Sequence, residues 1–204
     1  MFDSVDYEPF NFNFDWNDLL EKHEAQASLL HRKGVFIASQ EQLSQYKNSA
    51  SSLDYILVED WILESKNFSL GKFKSVENLN LYLNLFSMKT SFLQDLLQRE
   101  VDWLLRFEKT VFLHLKNRIS EGVSILKNDA VKILFAEFSG LIFEINTLVK
   151  LQEISQSLVG EKILLAANIL AKLAGGRAFL QDSIIEMRWF FSLLDQIYLR
   201  GEFS

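Results

Sequence analysis

The chain has 204 residues, a size that fits one globular domain with a short appendage. It contains no cysteine, which excludes disulfide bonds, thiolate zinc sites, iron–sulfur clusters and cysteine nucleophiles. The formal net charge is −6 and lysine and arginine form no cluster in the sequence, so we expect no nucleic-acid partner.

Helix breakers are scarce in this sequence. One proline and eight glycines favour long helices over a sandwich or barrel. The acidic start of the chain resembles neither a secretory signal nor a transit peptide. The longest uncharged run near the C-terminus, residues 163–171, covers about half of a membrane span. We therefore expect no membrane span and a cytoplasmic location.

Residues 1–74 are predicted to form a reduced N-terminal region. The first 14 residues contain the only proline and are predicted to be an irregular arm. Asp15 is a candidate N-cap for a helix from about Trp16 to Arg32. The later segments are predicted as a strand at Val35–Ala38, a helical turn at Gln40–Lys47 and a strand within Asp54–Leu63.

Residues 75–204 are predicted to form four amphipathic helices. Apolar residues recur at three- and four-residue steps, and no proline or glycine interrupts the first helix up to Arg118. The others are predicted from near Lys127 to near Gly160, from Glu161 to Ala174, and from a capping box at Ser183–Glu186 onward. Such helices are typical of an antiparallel four-helix bundle. The predicted fold class is therefore all-α, with a short irregular or α+β N-terminal region.

Few residues carry a pattern of site chemistry. The three histidines lack metal-binding spacing and no Glu-x-x-His occurs, so we expect no metal site. Gly175-Gly176-Arg177 suits an approach to phosphate, because glycine lets backbone amides come close. The pair follows a helix, however, where the dipole repels phosphate. A glycine stop at the helix C-terminus explains it at least as well.

Two blocks of the C-terminal region carry a recognisable arrangement. The first is Arg118-Ile-Ser-Glu-Gly122 followed by Ala136-Glu137, and the second is Gly175-Gly176 followed by Ile197-Tyr198. In order and spacing they resemble the acyl-CoA dehydrogenase family, whose motifs read Arg-x-x-Phe-Gly, Leu-Ala-Glu/Asp-Met, Gly-Gly-x-Gly and Ile-Tyr-Glu-Gly-Thr. The resemblance covers about Ser75–Ser204 and implies the C-terminal four-helix domain of that fold.

The resemblance implies FAD as the candidate cofactor. The matched cofactor-binding positions are Arg118, Asp129, Gly175 and Gly176, with Asp129 in the slot of a flavin-binding glutamine. In the family the flavin lies at a subunit boundary. The resemblance therefore also implies a homo-oligomer, or a hetero-oligomer with a full-length acyl-CoA dehydrogenase-like chain, in which Arg118 contacts the pyrophosphate.

The chain departs from the family where catalysis takes place. Leu199 stands in the slot of the catalytic glutamate, and leucine cannot take a proton from carbon, so no catalytic residue is assigned. The alternative base position, near Leu105, is also apolar. Other family positions are changed as well, at Glu121, Lys172, Ala178 and Phe190-Phe191. The short N-terminal region is too small to close a flavin pocket.

Three functions stay open. The first is a non-catalytic or accessory subunit that oligomerises and contributes Arg118 to a partner's FAD site. The second is an active flavin-dependent oxidoreductase on an acyl thioester with a relocated base, for which Glu202 and Glu100 are the nearest candidates. The third is a helical scaffold or interaction protein without a cofactor, whose match to the family is only architectural.

Overall fold

The computed structural model describes residues 18–19, 22, 31–32, 35–48, 55–65, 68–74, 90–120, 122–151, 155–179 and 184–200. Most of these residues are helical, and a small antiparallel sheet lies in the N-terminal part. The predicted arm, the Asp15 cap, the Ser183 cap and the start of the first long helix lie outside the described residues. None of the described helices has the length and apolar character needed to cross a membrane.

Four strands form the N-terminal sheet. They are β1 (His31–Arg32), β2 (Val35–Ser39), β3 (Tyr55–Val58) and β4 (Phe68–Phe73), in the order β1-β2-β4-β3 with antiparallel neighbours. The predicted strand at Val35–Ala38 is confirmed. The predicted helix to Arg32 is wrong at its end, because Arg32 pairs with Val35 and His31 with Phe36. Pairing with β2 overrides the helical preference of this segment.

Strand β2 packs on both faces, because successive side chains of a strand point to opposite sides of the sheet, whereas Ile56, Leu57 and Val58 of β3 are exposed. Val35 and Ile37 of β2 belong to the large helical core, whereas Phe36 and Ala38 belong to a smaller cluster. Helix α1 (Gln40–Lys47), which the sequence predicted as a helical turn, adds Leu43 and Tyr46 to that cluster.

Two local features shape the sheet. Gly71 of β4 lies opposite Phe36, and a Cβ there would stand 2.2 Å from the Phe36 ring. The strand predicted within residues 54–63 ends at Val58, and helix α2 (Trp61–Ser65) follows it. Asp60 causes this switch, because its Oδ1 accepts hydrogen bonds from the N–H groups of Ile62 and Leu63 at 3.0 and 3.1 Å.

Four longer helices build the main core. They are α3 (Thr90–Asn117), α4 (Asp129–Lys150), α5 (Gln156–Ala174) and α6 (Ile184–Leu194), and a π-helical segment (Asp195–Arg200) continues α6. Helix α5 is central, because it packs against α3, α4, α6 and the π-helical segment. A short connection turns the chain at Leu151, so α5 runs back along α4, and Lys162 pairs with Glu144 at 2.8 Å.

Gly160 does not separate two helices, which corrects the predicted boundary. It lies inside α5 and is buried, whereas the break falls at Leu151. A Cβ at position 160 would stand 2.4 Å from Asp195 Oδ1 and 2.8 Å from a Leu199 methyl carbon. The glycine is therefore needed for close packing rather than for ending a helix.

Candidate functional site

Arg118 follows the last residue of α3 and opens a tight hairpin. The hairpin consists of β5 (Ile119–Ser120) and β6 (Val123–Ser124), and its turn contains Gly122 with φ of 79°. The Arg118 carbonyl accepts a hydrogen bond from the Ile125 N–H at 3.0 Å. The backbone at Arg118 is thereby held in place, while its side chain is exposed.

Asp129 is the first residue of α4. The N-cap of that helix is Asn128, whose side chain accepts a hydrogen bond from the Ala130 N–H at 2.9 Å. The Asp129 carboxylate is exposed and lies 2.8 Å from Lys132 Nζ. The hydrogen bond and the charge of Lys132 lower the pKa of Asp129, so this carboxyl group is ionised at neutral pH. A fixed negative charge is unfavourable beside a phosphate.

Gly175 ends helix α5. Its φ is 59°, and its N–H reaches the carbonyls of Ala171 and Lys172. Gly175 and Gly176 are exposed, and a Cβ at either position would meet no atom within 4 Å. The glycine stop at the helix C-terminus is confirmed, and the positive φ explains the glycine at position 175.

The topology brings the four predicted cofactor positions to one end of the helices. Arg118 and Asp129 flank the hairpin between α3 and α4. Since α5 runs back along α4, Gly175 and Gly176 lie at the end where α4 begins. Among the described residues, no hydrogen bond or ion pair joins these four positions to one another.

A buried pair of carboxyl groups lies in the main core. Glu100 on α3 is 1% exposed and Asp195 in the π-helical segment is 3% exposed. Burial, and secondly the charge of Asp195, raise the pKa of Glu100 well above its usual value. Glu100 Oε1 has no hydrogen-bond partner among the described residues.

Arg200 holds the Asp195 member of this pair. Its Nε lies 2.6 Å from Asp195 Oδ2, and a terminal guanidinium nitrogen lies 3.0 Å from Glu161 Oε1. The π-helical geometry explains the first contact, because residues five apart are neighbours in such a turn. Helix α5 makes room for Asp195 at Gly160.

The sequence analysis named Glu100 only as a candidate for a relocated base, together with Glu202, and overlooked Asp195. A signal was present, since Glu100 lies four residues from both Leu96 and Leu104 on an otherwise apolar helix face. A charged residue at such a position is buried only with a compensating partner or a proton.

The other family positions have simple structural roles. Leu199, which the resemblance aligns with the family's catalytic glutamate, is buried and lies against Gly160. Phe190 and Phe191 belong to the main core. Glu202 lies outside the described residues. Within the part of the chain that the structure describes, no three His, Asp or Glu side chains are grouped so that they could bind a metal ion.

Comparison of the chain with protein-family models, with curated proteins and with solved structures finds no match. The resemblance to acyl-CoA dehydrogenases therefore rests on the sequence blocks around Arg118 and Gly175.

Proposed function

We propose that this chain is a non-catalytic helical assembly module. The exposed face of α4 binds the same face of a second copy of the chain. The observation that carries the proposal is an apolar stripe on that face. Ile133 is 58% exposed and Phe143 is 77% exposed, and both are large apolar side chains. Exposed apolar surface of this kind marks interaction sites in soluble proteins.

The stripe follows the spacing of a helix–helix seam. Ile133, Ala136, Gly140 and Phe143 are three or four residues apart, so they lie along one line of the helix. Ala136 and Gly140 are exposed, and the space around Gly140 is open. These small residues leave a shallow groove beside the Phe143 ring, so two such faces are able to interlock.

Charges beside the stripe favour a parallel pairing of two copies. Lys132 flanks one side of the stripe, and Glu137 flanks the other. In a parallel pair, opposite flanks meet, so Lys132 of one copy approaches Glu137 of the second copy. In an antiparallel pair the same flank meets itself, which brings like charges together.

Sedimentation velocity tests the assembly directly. We expect a dimer for the wild type and a monomer for Phe143→Arg, because the substitution places a charge in the apolar seam. Leu113→Arg is the matched control, since Leu113 is an exposed apolar residue on α3, and it should leave the dimer intact. A monomeric wild type, or a Phe143→Arg variant that stays dimeric, would contradict the proposal.

A charge exchange tests the orientation. Glu137→Lys should weaken the dimer by repelling Lys132 of the second copy. Combining Glu137→Lys with Lys132→Glu should restore it, because the attraction is re-formed with reversed signs. Absence of any rescue would rule out the parallel register while leaving self-association itself intact.

The resemblance to acyl-CoA dehydrogenases adds an antiparallel four-helix bundle and a domain boundary near residue 74 to the proposal, and the cytoplasmic location expected from the sequence is kept in it. The catalytic activity of that family is not adopted, because Leu199 occupies the position that the resemblance aligns with the catalytic base, and leucine cannot accept a proton.

A flavin-edge role for Arg118 is a second candidate function. It is favoured by one observation: the Arg118 side chain is exposed at a helix end and forms no ion pair within the described residues. The test is the visible absorption spectrum after incubation with FAD and gel filtration. A retained flavin band that is lost in Arg118→Ala would support the role, and a colourless wild type would rule out flavin binding by this chain without a partner.

A further inference from the structure

Glu100 presents the strongest unexplained feature of the core. Its side chain is almost fully buried, and one carboxyl oxygen lacks a hydrogen-bond partner among the described residues. The buried Asp195 lies on the π-helical segment, which meets α3 where the rings of Phe92 and Tyr198 are 6.3 Å apart. Two buried carboxylates cannot both remain ionised without strong compensation. A proton on one of them removes the conflict.

Arg200 is the cation bound to Asp195. It comes from the π-helical segment and pairs with Asp195 and Glu161. Other ion pairs on the surrounding elements join Lys162 of α5 to Glu144 of α4, Arg99 of α3 to Asp18, and Lys22 to Asp95 of α3. Helix α6 carries Glu186, a further buried carboxyl group. Arg200 therefore stabilises the charge on Asp195, and Glu100 is the carboxyl group that carries the proton.

We propose that Glu100 is a proton-binding site of the folded chain, which keeps its proton at pH values where exposed glutamates are ionised, while Asp195 stays ionised in its pair with Arg200. The site is independent of the α4 surface, so a failure of either proposal leaves the other standing.

A proton held by Glu100 in the folded chain sets the direction in which the free energy of unfolding changes with pH. Unfolded Glu100 titrates near its ordinary pKa of 4.5, and the folded form holds its proton to higher pH. The stability contributed by the proton is therefore complete below pH 4.5 and is lost as the pH rises through the folded pKa. At still higher pH, ionised Glu100 repels Asp195 and loosens the π-helical segment.

Carbon-detected NMR of the glutamate carboxyl groups is the primary test. We expect one resonance, assigned by its loss in Glu100→Gln, to titrate far above the others. Asp195→Asn should move that titration downward, because the neighbouring negative charge is removed. Glu137→Gln supplies the control assignment for an exposed glutamate. A Glu100 resonance that titrates together with Glu137 would overturn the proposal.

Unfolding as a function of pH gives a second readout. The folding equilibrium constant of Glu100→Gln, relative to wild type, should rise about tenfold for each pH unit above the unfolded pKa. It should level off at the folded pKa of Glu100. Glu137→Gln should show no such divergence. Parallel curves for wild type and Glu100→Gln would contradict the proposal, whatever the NMR assignment of the variant.

Discussion

The hydroxyl group of Tyr198 accepts a hydrogen bond from the backbone N–H of Ile37 at 3.1 Å, across 161 positions of the sequence. Ile37 follows Phe36, which pairs with His31 of β1. Burial raises the pKa of Tyr198, so the phenol stays neutral. The π-helical segment thereby satisfies a backbone donor of the sheet and ties the two parts of the core together.

Tyr198→Phe tests this link. The substitution removes the acceptor and leaves a buried N–H unsatisfied, so we expect a loss of about 1–3 kcal/mol in the free energy of unfolding. Tyr55→Phe is the matched control, because the Tyr55 hydroxyl is buried without a partner among the described residues. Urea denaturation should show the control unchanged or slightly more stable. Equal losses in both variants would mean that the Tyr198 hydrogen bond contributes nothing.

Gly160→Ala tests the close packing of α5 on the π-helical segment. The added Cβ would overlap Asp195 Oδ1 and a Leu199 methyl carbon, and overpacking of this kind costs about 1–3 kcal/mol. Gly140→Ala is the control on an exposed helix position with open space, where alanine should stabilise by about 0.5–1 kcal/mol. Both are measured by thermal unfolding at a concentration where the chain is monomeric. A stabilising Gly160→Ala would mean that the segment is free to move aside.

Arg200→Met tests the ion pair at the carboxyl cluster. Removing the cation leaves Asp195 buried beside Glu100, and we expect a loss of about 3 kcal/mol, near the lower limit for breaking a buried pair because Arg200 is 26% exposed. Lys132→Met breaks the exposed pair with Asp129 and should leave the free energy of unfolding nearly unchanged. Denaturant titration of both variants compares the two pairs. Similar small effects would show that Arg200 is dispensable.

Phe138→Ala and Phe143→Ala compare two faces of α4. Phe138 is 1% exposed and Phe143 is 77% exposed. We expect the first substitution to cost about 3–5 kcal/mol and the second to leave the monomer unchanged within about 0.5 kcal/mol. Equal losses in denaturant unfolding of the monomers would mean that α4 is rotated from its assigned orientation.

The long helices were predictable because their apolar spacing is a local property. Apolar residues recur at three- and four-residue steps from Phe92 to Leu115, and α3 buries the face on which they lie. The sequence does not distinguish a glycine that ends a helix from one that lets two segments approach. Gly175 is the first kind and Gly160 the second, and only the contact with Asp195 separates them.

The carboxyl cluster depends on neighbours in space, which explains why the sequence did not predict it. Glu100 and Asp195 are far apart in the chain, and the π-helical turn that brings Arg200 to Asp195 has no sequence signature. The predicted cofactor positions share one end of the helices because short connections fix the helix directions. Binding of FAD there remains a prediction.

Disulfide cross-linking is the most direct measurement of the proposed assembly, because the chain has no cysteine of its own. In a parallel pair, position 140 of one copy faces position 140 of the second, within the span of a disulfide bond. Gly140→Cys should oxidise to a covalent dimer, whereas Leu113→Cys on α3 should remain a monomer. A Gly140→Cys chain that stays monomeric, or that cross-links no faster than Leu113→Cys, would contradict the proposed parallel pairing of two copies through α4.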